Sequence, residues 1–362
     1  MSLTIQTLEV RQFRSYEEFT LELDQELTLI VGPNAVGKTN LVEALQVVTS
    51  TESFRKPQWS DLVRWGEEKA SVSVSAEGAG RKLVVDLSIT REGRREYRVN
   101  GKLRRRLMDV AGVIPCVVFT PDDLRLVKDS AERRRAAIDS LGVQLSPSYT
   151  QLKADYERTL RQRNALLRDE APSLALEPWT TQLIEIGSRF AEARTRLFAR
   201  VREAAAKAHS TVCEQGILEP VYLLSWQRDG VSTEAQDIHA VFTEVIHRRA
   251  KEERARKMTL VGPHRDEVVF NLDGRDARSF ASQGQQRSIA LAWKLGEVTV
   301  TTEVGGQPPL LLLDDVMSEL DEKRRHALTR LVGKVAQTVV TTTNTGYFDD
   351  ELLQRARMIE LS

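Results

Sequence analysis

Residues 32 to 39 of this chain read Gly-Pro-Asn-Ala-Val-Gly-Lys-Thr, a complete G-x-x-x-x-G-K-[ST] motif. The apolar, β-branched run from Leu27 to Val31 precedes the motif, and Leu41, Leu45 and Val48 follow it at the spacing of one helix face. Strand, glycine loop and helix in this order predict an α/β fold with a phosphate-binding loop at the end of a buried strand. A plain glycine turn is the alternative that the motif alone leaves open.

The residue types in this loop suit a nucleotide phosphate. Gly32 and Gly37 let the backbone curl so that successive N–H groups face inward, and a Cβ at either position would obstruct the phosphate. Lys38 brings a positive charge to the β- and γ-phosphates, and the hydroxyl of Thr39 is a candidate Mg²⁺ ligand at the start of the helix. We therefore expect this loop to bind a nucleotide.

The composition indicates a globular protein without membrane spans, but it does not indicate what the protein binds. The 362 residues are 41% apolar, which suffices for large cores, and no segment approaches the ~18 uninterrupted apolar residues of a membrane span. We expect a soluble, cytoplasmic protein with no membrane partner. The cysteines, Cys116 and Cys213, show no metal-like spacing, and we expect buried thiols in a reducing compartment.

Net charge is zero, with 52 basic and 52 acidic residues, so a DNA-binding surface would require a local excess. Residues 81 to 110 hold ten Lys or Arg against four acids, and Asn100-Gly101 predicts a hairpin turn in their middle. This segment is predicted to be a basic β-hairpin, and a merely solvated strand pair remains the alternative. The DNA-contact candidates are Arg94, Arg95, Arg98, Lys102, Arg104, Arg105 and Arg106.

Hydrophobic periodicity divides the chain into three parts. Residues 1–120 read mainly as strands, residues 121–257 as long helices with little glycine, and residues 258–362 again as alternating strands and helices. The two end parts are predicted to form one α/β domain. The middle part is predicted to be a helical second domain inserted into it.

A carboxylate pair follows a second buried strand. Leu310 to Leu313 form a run with no polar face, as in a parallel strand covered on both sides, and Asp314 and Asp315 come directly after it. At the edge where α/β sheets bind ligands, Asp314 can hold Mg²⁺ beside Lys38, and Asp315 can orient or deprotonate a water. An acidic pair used only for capping is the alternative.

Ser282-Gln283-Gly284-Gln285 opens a predicted helix. A hydroxyl, a glycine and free N–H groups at the positive end of a helix form an anion site. Because residues 32 to 39 already supply one phosphate cradle, this second site suggests use by another subunit.

The order of these motifs resembles the ABC-type ATPases of the SMC branch, and more narrowly the RecF family. The resemblance covers essentially the whole chain. The matching stretches are Leu8 to Tyr16, Ile30 to Glu43, Phe119 to Arg135, Val261 to Asp266, Ser282 to Gln286, and Leu311 to Asp321.

The resemblance implies ATP and Mg²⁺ as cofactors and a homodimer that sandwiches two ATP molecules. Lys38, Asp314 and Asp315 would be catalytic, and Thr39 and Asp314 would bind the metal. Ser282, Gly284 and Gln285 would act on the ATP held by the other subunit, and Ser318 to Asp321 would be the loop linking the two sites. The implied ATP contacts are Gly32, Pro33, Asn34, Ala35, Val36, Gly37, Lys38, Thr39 and Asn40.

For function, the resemblance implies an ATPase that binds duplex and gapped DNA in recombinational repair. RecR would be its partner. Together with RecR and RecO, the protein would help load RecA at single-strand gaps and so support replication and the SOS response. Hydrolysis, weak and stimulated by DNA, would separate the dimer. The alternative is the nucleotide-binding subunit of an ABC transporter.

The chain departs from the expected pattern at several positions. Ala131 stands where a proline is usual, which leaves the local turn open. No histidine follows the strand at 339–343, so Thr343 or Asn344 would take its place, and no glutamine-loop residue can be assigned. His264 is interpreted as a buried structural residue.

Overall fold

The computed structural model describes residues 3–78, 80–212, 216–227, 237–330 and 337–362. Within them the strands are β1 (Thr4–Phe13), β2 (Tyr16–Glu22), β3 (Leu27–Val31), β4 (Lys69–Gly78), β5 (Arg81–Thr90), β6 (Arg95–Val99), β7 (Lys102–Arg104), β8 (Cys116–Phe119), β9 (Leu218–Leu223), β10 (Glu267–Leu272), β11 (Arg275–Asp276), β12 (Leu310–Asp314), β13 (Thr338–Thr342) and β14 (Arg357–Glu360). The helices are α1 (Lys38–Ser50), α2 (Ala131–Leu145), α3 (Pro147–Arg168), α4 (Ser173–Val212), α5 (Ile238–Arg248), α6 (Ala250–Arg256), α7 (Ala277–Phe280), α8 (Gln283–Gly305), α9 (Glu322–Thr329) and α10 (Asp350–Arg355).

The central layer is a parallel sheet with strand order β14-β3-β13-β12-β8. Strands β3 and β8 come from the first third of the chain, and the other three come from its last sixty or so residues. β12 is buried along its whole length, as its leucine run predicts. The predicted α/β head built from both ends of the chain is confirmed.

One face of this sheet shares a core with an antiparallel sheet of order β2-β1-β4-β5-β6-β7. Helix α1 contacts both sheets and has almost no solvent-facing side, because eleven of its thirteen residues are buried. In the antiparallel sheet, inward and outward side chains alternate, as the burial of every second residue in β4 shows. The start of α1, where the glycine loop ends, is thereby held between two sheets.

The other face of the parallel sheet packs against helices. Leu311 and Leu313 of β12 join a core with α8, α4 and α2, whereas Leu310 and Leu312 face α1. A separate core, which contains Tyr156, Phe190 and Trp226, binds α3, α4 and α5 together. The middle part of the chain therefore has an apolar core of its own.

Strand β9 lies inside the segment predicted to be helical and pairs antiparallel with β10 across residue 257. The proposed boundaries at 120 and 257 stay predictions.

At Ala131 the local turn is ordinary, because Ser130 caps α2 and accepts a hydrogen bond from Arg133 N. Cys116 is buried as expected, and burial raises the pKa of its thiol to about 12. Cys213 lies outside the described residues.

Among the described residues, no helix combines the length and the apolar character that crossing a membrane requires.

Candidate nucleotide-binding and dimerisation site

The glycine loop joins the end of β3 to the start of α1, as its motif predicts. Gly37 directly precedes α1 at φ 110°, a left-handed conformation that favours glycine. A Cβ on Gly37 would lie 2.8 Å from the hydroxyl of Tyr16. Gly37 is thus required by both its backbone conformation and its packing.

Lys38 is folded into the loop that it follows. Its Nζ donates hydrogen bonds to Gly32 O at 2.7 Å and Pro33 O at 2.8 Å, and the residue is 6% exposed. An ammonium group held by main-chain oxygens of its own loop lies where the loop's N–H groups converge on an anion. Pro33, Asn34 and Ala35 are exposed at the rim of the loop.

Asp314, at the end of β12, meets Thr39 at the start of α1. Thr341 Oγ1 donates a 2.8 Å hydrogen bond to Asp314 Oδ1, and the hydroxyl of Thr39 lies near enough to the same carboxyl group to lower its pKa. Burial raises the pKa of Asp314, and the hydroxyls of Thr341 and Thr39 partly oppose the rise. The structure therefore brings the two predicted metal ligands close together.

Asp315 leaves the strand in a left-handed conformation, φ 50°, with its N–H turned toward Thr341. Its Oδ1 is buried and has no hydrogen-bond partner among the described residues. Burial raises the pKa of Asp315, the charge of Lys38 lowers it, and the charge of Glu319 raises it further. An acceptor without a partner beside Lys38 has the position that a water-activating carboxylate needs.

Three residues that the sequence analysis did not single out complete this region. Glu43 is fully buried on α1 and accepts hydrogen bonds from Arg14 at 2.9 Å and from Arg55 at 3.2 Å. Arg55 also donates to Asn40 Oδ1 at 2.8 Å, and its charge lowers the pKa of Asp314. The sequence did hold a signal for this cluster: Glu43 falls on the buried side of the predicted helix, and a buried carboxylate requires positively charged or hydrogen-bonding partners.

Ser282 caps α8, as expected, but its hydrogen bonds are already used within the chain. Its Oγ accepts from Gln285 N at 3.2 Å, and Gln285 Oε1 accepts from Ser282 N at 2.8 Å. The expected cluster of free N–H groups is therefore smaller, since Gln285 N and Gln286 N are both bonded to Ser282. Ser282 and Gln285 nevertheless remain exposed.

The predicted linking loop lies between Asp315 and the first turn of α8. Ser318 Oγ donates to Asp315 O at 2.8 Å, and Asp321 caps α9. Arg324 on α9 then donates to Gly284 O at 2.7 Å and to Ser288 Oγ at 2.8 Å. Within one chain, the segment after Asp315 is thus bonded to the helix that is expected to face the partner.

Residues 4–359 match the family model described as the RecF/RecN/SMC N terminal domain. The DNA replication and repair protein RecF of Synechococcus sp. (strain JA-3-3Ab) is 38% identical over 98% of this chain and 95% of its own length. The chain belongs to the RecF family. That membership confirms the resemblance and favours the repair interpretation over the transporter one.

Solved structures agree with this assignment. The recombination mediator protein RecF-ATP of the RecFOR pathway is similar to this chain with a TM-score of 0.88 and 28% identity, covering 96% of this chain and 94% of that one. The Smc head domain from Pyrococcus furiosus has a TM-score of 0.55 at 17% identity, covers 99% of this chain and 93% of that one, and shows the shared fold alone.

Positions at which this RecF-family chain departs from transporter ATPases can now be placed. After β13, Asn344 caps a short turn by accepting from Gly346 N, and both Thr343 and Asn344 are exposed. Which of the two replaces the histidine stays a prediction.

His264 is half-buried beside Tyr156 of α3 and does not lie at the nucleotide loop. Its Nδ1 is 2.6 Å from Tyr156 Oη, and burial lowers its pKa to about 4. A neutral, hydrogen-bonded histidine supports the predicted structural role.

The DNA candidates do not share one environment. Arg95 stacks on the ring of Trp59 at 4.3 Å, Arg98 pairs with Glu96 at 2.9 Å, and Arg104 is half-buried. Arg94, Lys102, Arg105 and Arg106 are exposed, and none of these four pairs with an acid in the described part of the chain. The predicted β6–β7 hairpin through Asn100-Gly101 is present, but only part of its positive charge is available to a partner.

Proposed function

We propose that this chain is an ATP-dependent DNA-binding ATPase of recombinational repair, in which ATP binding drives dimerisation and hydrolysis ends it. The observation that carries the proposal is the meeting of Thr39 with Asp314, beside Lys38 and the partnerless oxygen of Asp315. One chain thereby supplies a phosphate cradle, a metal site and a water-activating carboxylate. The exposed start of α8 is left for the ATP of a second copy.

The donor set fits Mg²⁺. A threonine hydroxyl and a carboxylate are hard oxygen ligands, which Mg²⁺ prefers together with nucleotide phosphates and water. When bound, the metal neutralises charge on the β- and γ-phosphates. Lys38 would exchange the carbonyl oxygens of Gly32 and Pro33 for phosphate oxygens, and Thr39 and Asp314 would hold the metal.

Asp315 is the residue that we assign to the attacking water. Its Oδ1 can accept a proton from water without giving up a hydrogen bond inside the chain. Because burial raises its pKa, its carboxylate is a stronger base than an exposed aspartate. The nearby charge of Lys38 lowers the pKa of Asp315 and so opposes the effect of burial.

Relatives of this chain are named DNA replication and repair proteins, and a similar solved protein is described as a recombination mediator of the RecFOR pathway. On this basis we propose duplex and gapped DNA as ligands, RecR as direct partner, and RecO and RecA as indirect ones. The roles at replication gaps and in the SOS response, and the DNA stimulation of hydrolysis, belong to the same proposal. The exposed cations of the β6–β7 hairpin are the proposed DNA contacts.

Sedimentation of the full chain, with and without Mg²⁺-ATP and duplex DNA, tests the proposal. A monomer without nucleotide, a dimer with ATP and a DNA-bound dimer with both are expected. A Lys38→Met variant is the control and should remain monomeric. A mass that does not respond to ATP would contradict the dimer mechanism.

A further inference from the structure

Strand β14 is an element that the sequence pattern does not predict, and it lies directly against the nucleotide loop. It pairs in parallel with β3, with Arg357 opposite Thr28 and Glu360 opposite Val31. The pairing continues for one more residue, because Leu361 N donates to Val31 O at 2.8 Å. The last residue of β3 before the loop is thus bonded to Leu361.

Gly32 touches the same residue from the loop side. A Cβ on Gly32 would lie 2.5 Å from Leu361 O and 3.3 Å from Leu361 Cβ, closer than real Cβ atoms approach an oxygen. The φ angle of Gly32 is not in the left-handed region, so its backbone conformation does not require glycine. Glycine is required at this position by the close contact with the Leu361 backbone.

Gly32 also carries one of the two carbonyl groups that hold Lys38, at 2.7 Å from Nζ. A continuous set of contacts therefore runs from Leu361, through Val31 and Gly32, to the Lys38 ammonium group. The contacts are between main-chain atoms until the last step, and main-chain positions in a paired strand are tightly held.

We propose that the backbone of Leu361 is a positioning element of the nucleotide site. Its N–H bond to Val31 and its carbonyl contact with Gly32 act together with the 3.3 Å bond from Gly32 N to Thr342 O, and they fix the outer side of the first peptide of the loop and so where Lys38 is held. The inference rests on the proposed function, because it concerns how the same loop binds ATP. Leu361 does not itself touch the nucleotide.

Side-chain contacts of β14 contribute less. Arg357 of β14 pairs with Glu22, and Arg355 at the end of α10 pairs with Glu26; these side chains are about half exposed, and such pairs stabilise a protein little. Ile359 and Leu361 pack at the edge of the core. Backbone pairing is consequently the feature to test.

The first test compares Leu361→Pro with Leu361→Ala in the full chain, with affinity for Mg²⁺-ATP measured by titration calorimetry. Proline removes the N–H donor, whereas alanine keeps both backbone groups. Leu361→Pro is expected to weaken ATP binding about fivefold, the scale of one backbone hydrogen bond, and Leu361→Ala to stay near wild type. Thermal unfolding without ATP reports whether each variant folds.

The second test separates positioning from general support of the fold. Gly32→Ala should weaken ATP binding, because its Cβ strikes Leu361 O. Deleting Leu361 and Ser362 should lower affinity in the wild-type background, yet raise it in the Gly32→Ala background. If β14 only supported the fold, the affinity losses caused by the deletion and by Gly32→Ala would simply add. Gly305→Ala, at a glycine with no atom near the new Cβ, is the matched control and should leave affinity unchanged.

Two results would overturn the inference: wild-type affinity in Leu361→Pro, or a deletion that lowers affinity in both backgrounds. If Leu361→Pro fails to fold, the sign of the deletion effect in Gly32→Ala decides. A wild-type chain that binds no ATP would instead refute the proposed function, and the two failures are therefore distinguishable.

Discussion

Arg287 on α8 donates hydrogen bonds to both the main-chain oxygen and the carboxylate of Glu319, at 2.6 and 3.0 Å. Glu319 in turn raises the pKa of Asp315, so this pair connects the start of α8 to the proposed hydrolytic carboxylate of the same chain. In the proposed dimer, α8 faces the ATP of the partner. Each chain would therefore link its own ATP site to the partner's through Arg287 and Glu319.

Arg287→Ala tests this link. ATP affinity of the monomer should be unchanged, whereas hydrolysis by the ATP-bound dimer should fall about fivefold, since hydrogen bonds to a charged group are lost. Steady-state ATPase rates measured over a range of protein concentrations give the result. Arg278→Ala, an exposed arginine on α7, is the control, and an equal loss in both variants would contradict the link.

Lys38→Met should weaken ATP binding about a hundredfold, because two charge-assisted contacts to phosphate are replaced by an apolar chain of similar length. Nucleotide titration by calorimetry measures the loss, and Lys82→Met on β5 provides an exposed control. The melting temperature without nucleotide should change little in either variant. Full affinity in Lys38→Met would place the nucleotide elsewhere.

Ser282→Arg should leave ATP binding to the monomer intact and block dimerisation. A long charged side chain at the exposed start of α8 would overfill the interface, at a cost on the order of 1–3 kcal/mol, or about a fivefold or larger rise in the dimer dissociation constant. Light scattering with ATP distinguishes the two species. Ser210→Arg, on the surface of α4, should dimerise like wild type, and dimers of Ser282→Arg would count against its role across the interface.

Asp315→Asn should slow hydrolysis by about 10²–10⁴, the usual contribution of a general base, and prolong the ATP-bound dimer. In the wild type, activity should rise with pH as Asp315 loses its proton, with a midpoint above that of an ordinary aspartate because burial raises its pKa. Single-turnover rates over a pH series measure both effects. Unchanged turnover in Asp315→Asn would move the base elsewhere.

Ionisation of Asp315, which should raise activity as pH rises, should lower the stability of the fold. An acid whose folded-state pKa is raised binds its proton more tightly when folded, so its contribution is favourable below the unfolded pKa and is lost as pH rises through the folded one. At neutral pH, Asp315→Asn should therefore melt slightly higher than wild type without nucleotide. The measurement is the change in melting temperature between pH 4 and pH 7 for each protein. A larger fall in Asp315→Asn than in wild type would contradict this expectation.

Replacing Lys102, Arg105 and Arg106 by glutamate should weaken duplex DNA binding and flatten its salt dependence, by about 0.9 in slope for each lost phosphate contact. Arg95→Gln should have a smaller effect, because Arg95 is already stacked on Trp59. Fluorescence anisotropy over a salt series compares them. Identical affinity and slope in the triple variant would mean that the hairpin is only a solvated surface.

Local patterns predicted much of the fold. The strand, loop and helix around Lys38 and the leucine strand before Asp314 are specified by neighbouring residues, and the Asn100-Gly101 hairpin by its turn. Strand β14 was not predictable, because Arg357-Met-Ile-Glu has an exposed edge and no strong alternation. Strand β9 is short and stands among helices, and its pairing with β10 depends on residues far along the chain.

The candidate site divides in the same way. Thr39 and Asp314 were expected together because their motifs place both at the same sheet edge. The contacts of Arg324 with Gly284, of Arg55 with Asn40, and of Leu361 with Gly32 join residues 15 or more positions apart, and side-chain spacing carries no signal for them. The occupied capping box at Ser282 could have been foreseen, since Gln285 follows at the required spacing.

Helix α1 begins at the phosphate loop and lies between the two sheets, and at its far end Tyr97 of the basic hairpin donates a 2.8 Å hydrogen bond to Val47 O. A helix packed this tightly on both sides cannot tilt alone, because protein interiors have few voids to accommodate it. A shift at Lys38 on nucleotide binding would therefore move α1 as a rigid body and Tyr97 with it. Helix α1 would in this way couple the place where ATP is proposed to bind to the strand pair proposed to meet DNA.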